Sequence, residues 1–277
     1  MLSRMGTAMS DLPTLRYSRP QSLDEALAAI ARRGACIYAG GTDLLVALTE
    51  RRPWTRFVRE VVDIKALEAA RGITLAGAEL RIGALVTAHE LASHPGVRRH
   101  AAALAEAASL TSAPALRRRG TLGGNLTTPH PAGDVTTALL ALDAVVEVAD
   151  RGTVGALPLT DFMTSQAQQW PRQRLILAVR VPRCRRSAFE KVAARAAFSR
   201  SLVAVAVAVV GRRLQVALGG LRERPFLATE TSAALQQRRS LAAALAAECR
   251  PPADGLGLHR LHLAAALIAR ALTQVRA

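Results

Sequence analysis

Aromatic side chains are scarce. Phe, Trp and Tyr together make up 3% of the 277 residues, too few for the stacking platforms on which single-strand nucleic-acid binders lay bases. Cysteine is rarer still. Cys36, Cys184 and Cys249 stand far apart and form neither an even disulfide set nor a CxxC pair. That argues against a secreted disulfide scaffold and against a cysteine-held iron–sulfur cluster in this chain, and it suits a reducing cytoplasm. Long apolar runs are missing as well. The longest, Leu202 to Val210, is about half of the ~18 residues that read as a membrane span. No continuous apolar stretch follows Arg4 before Pro13, so no signal peptide is expected. HExxH, a nucleophile elbow, GxGxxG and the P-loop are all absent. Metal hydrolysis, acyl transfer, a Rossmann site and a Walker ATPase therefore have no supporting pattern.

What is abundant is arginine and alanine. Of 37 basic residues only Lys65 and Lys191 are lysine, and the formal charge is +16. Such a surface favours nucleic acid, an anionic membrane or an acidic protein. The basic residues are dispersed, however, and no nucleic-acid reader motif accompanies them. With 50% of residues hydrophobic, the chain can bury the core of one large or two modest domains.

Three stretches follow one another. The first opens with an extended segment at Leu15 to Tyr17 and a helix capped at Ser22, where Ser22-Leu-Asp-Glu25 spells a capping box and Leu23, Leu27 and Ile30 form the apolar stripe. Gly34 closes that helix, and Cys36-Ile-Tyr38 reads as a buried strand. The second stretch offers strands at Ile73–Leu75, Leu80–Ile82, Ala144–Val148 and Leu175–Val181, with helices at His89–Ser93, His100–Ser109 and Val135–Leu142. Pro182 and the cluster Arg183 to Arg186 mark a boundary. Beyond it, Val203–Val210 and Leu214–Leu218 form a hairpin across Gly211-Arg-Arg, followed by helices at about Ser232–Cys249 and Leu258–Arg276.

Two glycine turns carry the chemistry: Ala39-Gly40-Gly41-Thr42-Asp43 and Gly120-Thr121-Leu122-Gly123-Gly124-Asn125. A Gly-Gly turn between a strand and a helix bares consecutive N–H groups and, lacking Cβ atoms, lets a phosphate come close. The following helix adds its positive end. Two such turns could hold the two halves of one diphosphate. The expectation is that both present bare amides to a ligand; taken singly, a Gly-Gly pair is more often a plain turn, and a ligand-free scaffold with two purely structural turns is the competing reading.

Tyr38-Ala-Gly-Gly-Thr-Asp-Leu-Leu45 resembles the first flavin loop, and Arg119-Gly-Thr-Leu-Gly-Gly-Asn-Leu126 the second, of the medium, FAD-carrying subunits of the molybdenum hydroxylases, the family of xanthine dehydrogenase and aerobic carbon monoxide dehydrogenase. Pro131-Ala-Gly-Asp134, Ala138 to Asp143, Leu80 to Ala84, Leu175 to Pro182, Ala188 to Lys191 with Arg195, Ala217 to Leu221 and the Arg260 to Leu272 helix continue the likeness in order. The resemblance implies an α+β chain: a two-subdomain FAD-binding fold of the vanillyl-alcohol-oxidase/PCMH type over 11–182 (subdomains about 11–65 and 66–182), then a smaller α+β domain with a sheet and helices over 187–277. It implies that Ile37, Tyr38, Ala39, Gly40, Gly41, Thr42, Asp43 and Leu44 wrap the diphosphate of FAD. Thr121, Leu122, Gly123, Gly124 and Asn125 would approach from the other subdomain. Thr111, Asp134, Leu177 (through its main chain) and Lys191 would complete the contacts. A lysine retained in an arginine-rich chain suits a site wanting a compact point charge, and equally a solvated strand lysine.

By the same resemblance the chain is one subunit of three. A large molybdopterin subunit hydroxylates the substrate, a small subunit relays electrons through iron–sulfur clusters, and this chain passes them from FAD to NAD⁺ or another acceptor. Such relatives assemble as dimers of heterotrimers. No catalytic acid/base residue and no metal ligand is expected here. The alternative is a stand-alone FAD-dependent reductase or oxidase on the same fold. Two departures stand out: His130 lies in a variable stretch before Asp134, and Ala196 to Ser201 lacks the acidic residue many relatives carry. Met163, Trp54 and Trp170 read as packing or surface residues rather than ligands.

Overall fold

The computed structural model describes residues 14–128, 130–150, 152–167, 174–195, 199–251 and 253–276. Its first layer is a small parallel α/β unit. β1 (Arg16–Ser18), α1 (Leu23–Ile30), β2 (Ala35–Tyr38), α2 (Leu44–Thr49) and β3 (Glu60–Asp63) follow in sequence, and the strands order β1-β3-β2. Ser22 caps α1 by accepting from the Glu25 amide at 3.2 Å. The reciprocal half of the box is shifted, because the Glu25 carboxylate takes the Gln21 amide at 2.8 Å. The expected stripe is also corrected. Ala26, Ala29 and Ile30 are buried while Leu23 and Leu27 are only partly so, since small side chains let the helix lie closer to the sheet. As an edge strand, β2 is half-buried along its length rather than buried.

The second layer is an antiparallel sheet of β4 (Ile73–Ala76), β5 (Glu79–Gly83), β6 (Val145–Asp150), β7 (Thr153–Pro158) and β8 (Arg174–Pro182), ordered β4-β5-β8-β6-β7. Sequence periodicity misses β7, an exposed edge strand carrying Gly155 and held by its hairpin with β6. Between β5 and β6 run α3 (Ala88–Ser93), α4 (Pro95–His100), α5 (Ala102–Leu110), α6 (Pro114–Arg117), α7 (Leu122–Thr127) and α8 (Asp134–Ala141); α9 (Leu159–Ala167) follows β7. The helix expected from His100 to Ser109 breaks at Ala101, whose extended φ of −154° pairs it with Cys184. Every residue of α8 is buried.

The third layer joins β9 (Ser187–Ala193), β10 (Ser201–Val210), β11 (Arg213–Gly219) and β12 (Phe226–Leu227) in the order β12-β11-β10-β9. It is followed by α10 (Thr229–Gln236), α11 (Leu241–Glu248) and α12 (Gly257–Arg276). Alternation along β10 decides its two partners. Val203, Val205 and Val207 face the cluster containing Ala264, Ile268 and Leu272 of α12, while Ala204, Ala206 and Ala208 join the core that holds α5 and α8. The single helix expected from Ser232 to Cys249 is two. Arg238 turns at φ +56°, and Ser240 starts a new helix by accepting from the Ala243 amide at 3.3 Å.

Candidate functional site

The first turn leaves the C-terminal end of β2 and feeds α2. Among the described residues, the five successive amides of Gly40, Gly41, Thr42, Asp43 and Leu44 donate no hydrogen bond. Gly41 supports this run with φ +74°, a backbone that side-chain-bearing residues rarely adopt. Gly40 does something else. A Cβ there would collide with the Arg119 carbonyl, and Gly120 lies next to the Thr42 hydroxyl. The two glycine turns, distant in sequence, therefore rest on one another, and Gly40 is required by that contact rather than by a ligand.

The second turn differs from expectation. No strand precedes it, and Gly123 and Gly124 lie inside α7. Its amides are spent internally: Leu122 donates to Val86 O at 2.8 Å, Gly123 to Ala84 O at 2.8 Å, Asn125 to Thr121 O at 2.9 Å and Gly124 to Thr121 Oγ1 at 3.2 Å. Bare amides thus come from the first turn and not from these four. What the second turn offers is a side chain. Asn125 Oδ1 accepts from Thr136 on α8 at 3.2 Å, which fixes the plane of its amide.

A buried charged group lies beyond it. Lys191 Nζ on β9 meets Asp134 Oδ2 at the head of α8 at 2.8 Å and donates to Leu110 O, next to Thr111, at 3.1 Å. Ser201 Oγ donates to Asp134 Oδ1 at 2.6 Å. Burial pushes the Asp134 carboxyl up from its usual range, and Lys191 and Ser201 pull against that shift. Thr111, Asp134 and Lys191, taken from three parts of the chain, are thereby brought together. Leu177 falls where the β6–β8 register skips a residue, and its carbonyl accepts from Ala84 at 2.8 Å. Through Ala84 it connects to Gly123. His130 stands half-buried before α8, with Nδ1 accepting from the Ala132 amide at 3.0 Å.

Sequence reasoning missed three members. Ser201 lies in the stretch whose lack of an acid left its role open; residues 196–198 of that stretch, like Trp170, fall outside the described residues. Lys65 and Arg71 line a cavity of about 380 Å³ together with Ala39, Gly40, Thr87, Glu90, Arg118, Arg119 and Thr121. Lys65 bonds Asp63 at 2.8 Å and stands 3.8 Å over the Tyr38 ring. The scarcity that singles out Lys191 applies equally to Lys65, so the signal was present. The lone carboxylate of the lining, Glu90, takes both the amide and the hydroxyl of Thr87 at 2.7 Å. A cationic cavity beside five unspent amides suits a diphosphate. Trp54 is exposed and Met163 packs against the core, the surface and packing positions expected of them.

A family model described as the FAD binding domain in molybdopterin dehydrogenase matches residues 13–184. The nicotinate dehydrogenase FAD-subunit of Eubacterium barkeri is 35% identical over 153 residues, 54% of this chain and 51% of that one. The carbon monoxide dehydrogenase medium chain of Hydrogenophaga pseudoflava is 35% identical over 136 residues, 48% of this chain and 46% of that one. The chain spans about half the length of the curated relatives it matches. Over the whole fold the likeness extends further. The structure of carbon monoxide dehydrogenase from Hydrogenophaga pseudoflava lacking the Mo-pyranopterin moiety superposes with a TM-score of 0.83 at 25% identity, covering 95% of this chain and 97% of that chain. Quinoline 2-oxidoreductase from Pseudomonas putida 86 shares the fold, with a TM-score of 0.81 at 24% identity over 96% of this chain and 98% of that chain. The family model covers more than half of the sequence, and the chain belongs to the FAD-binding domain family of the molybdopterin dehydrogenases.

Proposed function

We propose that this chain is the FAD-carrying, electron-transferring subunit of a cytoplasmic heterotrimeric molybdenum hydroxylase. It takes electrons from an iron–sulfur subunit and passes them to NAD⁺ or another acceptor, while a molybdopterin subunit hydroxylates the substrate. The observation that carries this reading is the run of unspent amides at Gly40 to Leu44, packed on the second turn and bordered by a cationic cavity. FAD, when bound, supplies a centre that takes electrons singly and yields them in pairs.

The chain's own residues hold and orient it. Ile37 to Leu44 would hold the diphosphate, whose charge the free amides and Lys65, Arg71, Arg118 and Arg119 would offset. Thr121 and Asn125 approach from the second turn. Asp134, its carboxylate fixed by Lys191 and Ser201, offers acceptor capacity to the hydroxyls of the cofactor. Thr111 and the Leu177 backbone would complete the contacts. Residues 11–182 would form the FAD-binding part and 187–277 the C-terminal flavoprotein part. Names of relatives such as xanthine dehydrogenase FAD-binding subunit and caffeine dehydrogenase subunit beta leave the hydroxylated compound open, since it meets another subunit.

Expression with the products of neighbouring genes and a visible spectrum test this. Flavin absorbance released as FAD, together with co-purified iron–sulfur and molybdopterin subunits, is the expected result. A colourless chain that takes up no added FAD would overturn it, and an FAD-loaded chain that recruits neither co-expressed subunit would select the stand-alone flavoprotein.

A further inference from the structure

We propose that Arg260 of α12 is a positioning residue of the cofactor site: by gripping the carbonyls of Leu202 and Gly220 it sets Ser201 against the Asp134 carboxylate that would face FAD. The inference rests on the FAD reading above and deepens it. Arg260 is only 8% exposed. Its Nη1 donates to Leu202 O at 2.6 Å and to Gly220 O at 3.3 Å, and its Nη2 is fixed by Asp254. Nε is buried with no partner among the described residues, so the guanidinium is held at its two tips. Burying such a charge is unfavourable unless its donors are used. Packing of α12 does not call for it, since Ala264, Ile268 and Leu272 already face the sheet. What an apolar side chain could not do is satisfy these two carbonyls.

Both carbonyls lead to Asp134. The β9–β10 register skips between Ser201 and Val203, which leaves Leu202 at a bulge. Bulges re-aim neighbouring side chains, and here Ser201 Oγ reaches Asp134 Oδ1 at 2.6 Å. Gly220, at φ +81°, stands so near that a Cβ would strike the Leu202 carbonyl. Its amide donates to Pro131 O at 2.8 Å, on the segment that leads into Asp134 and α8. One guanidinium therefore ties down both the hydroxyl that Asp134 accepts from and the chain that delivers Asp134. With Lys191 on Oδ2, each carboxylate oxygen has a partner and retains acceptor capacity. The charged and titratable groups facing this carboxyl are Lys191 on β9 and His130 ahead of α8; burial raises its pKa, and the Ser201 hydrogen bond lowers it.

The flavin-free full-length chain, labelled with ¹³C at its aspartate carboxyls, is titrated by NMR, the Asp134 signal being the one lost in Asp134→Asn. Arg260→Lys keeps a cation but loses the fork that spans two carbonyls. We expect Ser201→Ala and Arg260→Lys each to raise the titration of Asp134 by about one pH unit, the roughly tenfold gain in proton affinity that one lost hydrogen bond gives. The double variant should go no higher. Asp254→Asn, at the exposed end of the fork, should shift Asp134 the same way by less. FAD affinity of Arg260→Lys, read by quenching of flavin fluorescence, should fall by about three- to tenfold. A folded Arg260→Lys whose Asp134 titrates as in the parent overturns the proposal, as does a double variant shifted by the sum of the two. Should thermal unfolding show that Arg260→Lys does not fold, Asp254→Asn decides, and an unmoved Asp134 refutes the link. A shifted carboxyl with unaltered FAD affinity removes Arg260 from the cofactor site. If the parent binds no FAD while the carboxyl shifts as expected, the FAD reading fails and the tie from Arg260 to Asp134 stands.

Discussion

At the scale of single residues, both lysines of the chain are paired with buried aspartates, and the two pairs behave differently. Burial alone would raise the Asp63 carboxyl, yet hydrogen bonds from Lys65 and Tyr17 hold it below the usual carboxylate range. A carboxyl lowered in the folded state contributes stability above its unfolded pKa and loses it as pH falls through the folded value. Asp63→Asn should therefore flatten the acid side of a plot of thermal midpoint against pH, and an unchanged acid limb would dissociate Asp63 from acid unfolding. Asp134 and Lys191 have side chains only 7% and 10% exposed. Removing either partner strands a buried charge, which costs about 3–5 kcal/mol. In urea unfolding, Asp134→Asn and Lys191→Met should each destabilise more than the two combined; simple additivity would mean the pair is not coupled.

At the scale of the element, the two Gly-Gly pairs have separate reasons to exist. Gly40 faces the Arg119 carbonyl, whereas a Cβ on Gly124 would meet only Thr121 Oγ1, at 3.0 Å. Gly40→Ala should force the turns apart, costing ~1–3 kcal/mol as overpacking does, and abolish retention of FAD. Gly124→Ala should keep the flavin, because its amide is already committed to capping α7. Release of FAD by Gly124→Ala on dialysis, with Gly40→Ala unaffected, would reverse these roles. β10 gives a second case of one element serving two masters. Its alternating Val and Ala put a broad apolar face toward α12 and a thin one toward α8, where Asp134 begins.

At the scale of the molecule, three sheets meet around helices, and the proposed cofactor site draws on all three: the end of β2, the bulge of β8 and Lys191 on β9. The +16 charge belongs to this scale. An acidic electron-donating subunit would be drawn in by it, so association of the purified subunits should weaken markedly as salt rises past the point where the Debye length is ~8 Å. Binding indifferent to ionic strength would remove charge from the docking step.

The hairpin at Gly211, the strands β5, β6 and β8 and the long α12 were legible in the sequence, because their signals are local: alternation, helical spacing and turn residues. So were the glycine turns, as types of backbone. What the tertiary structure alone decided is which groups remain free. An amide is available to a phosphate only if no carbonyl reaches it first, and Val86 and Ala84, far from the second turn in the chain, reach three-dimensionally what spacing could not foresee. The same holds for Ser201 and Lys65, whose positions beside Asp134 and Tyr38 depend on how α8 packs on β10 and how β2 pairs with β3. Periodicity also failed at β7, almost wholly exposed, since a strand in one environment has no face to mark.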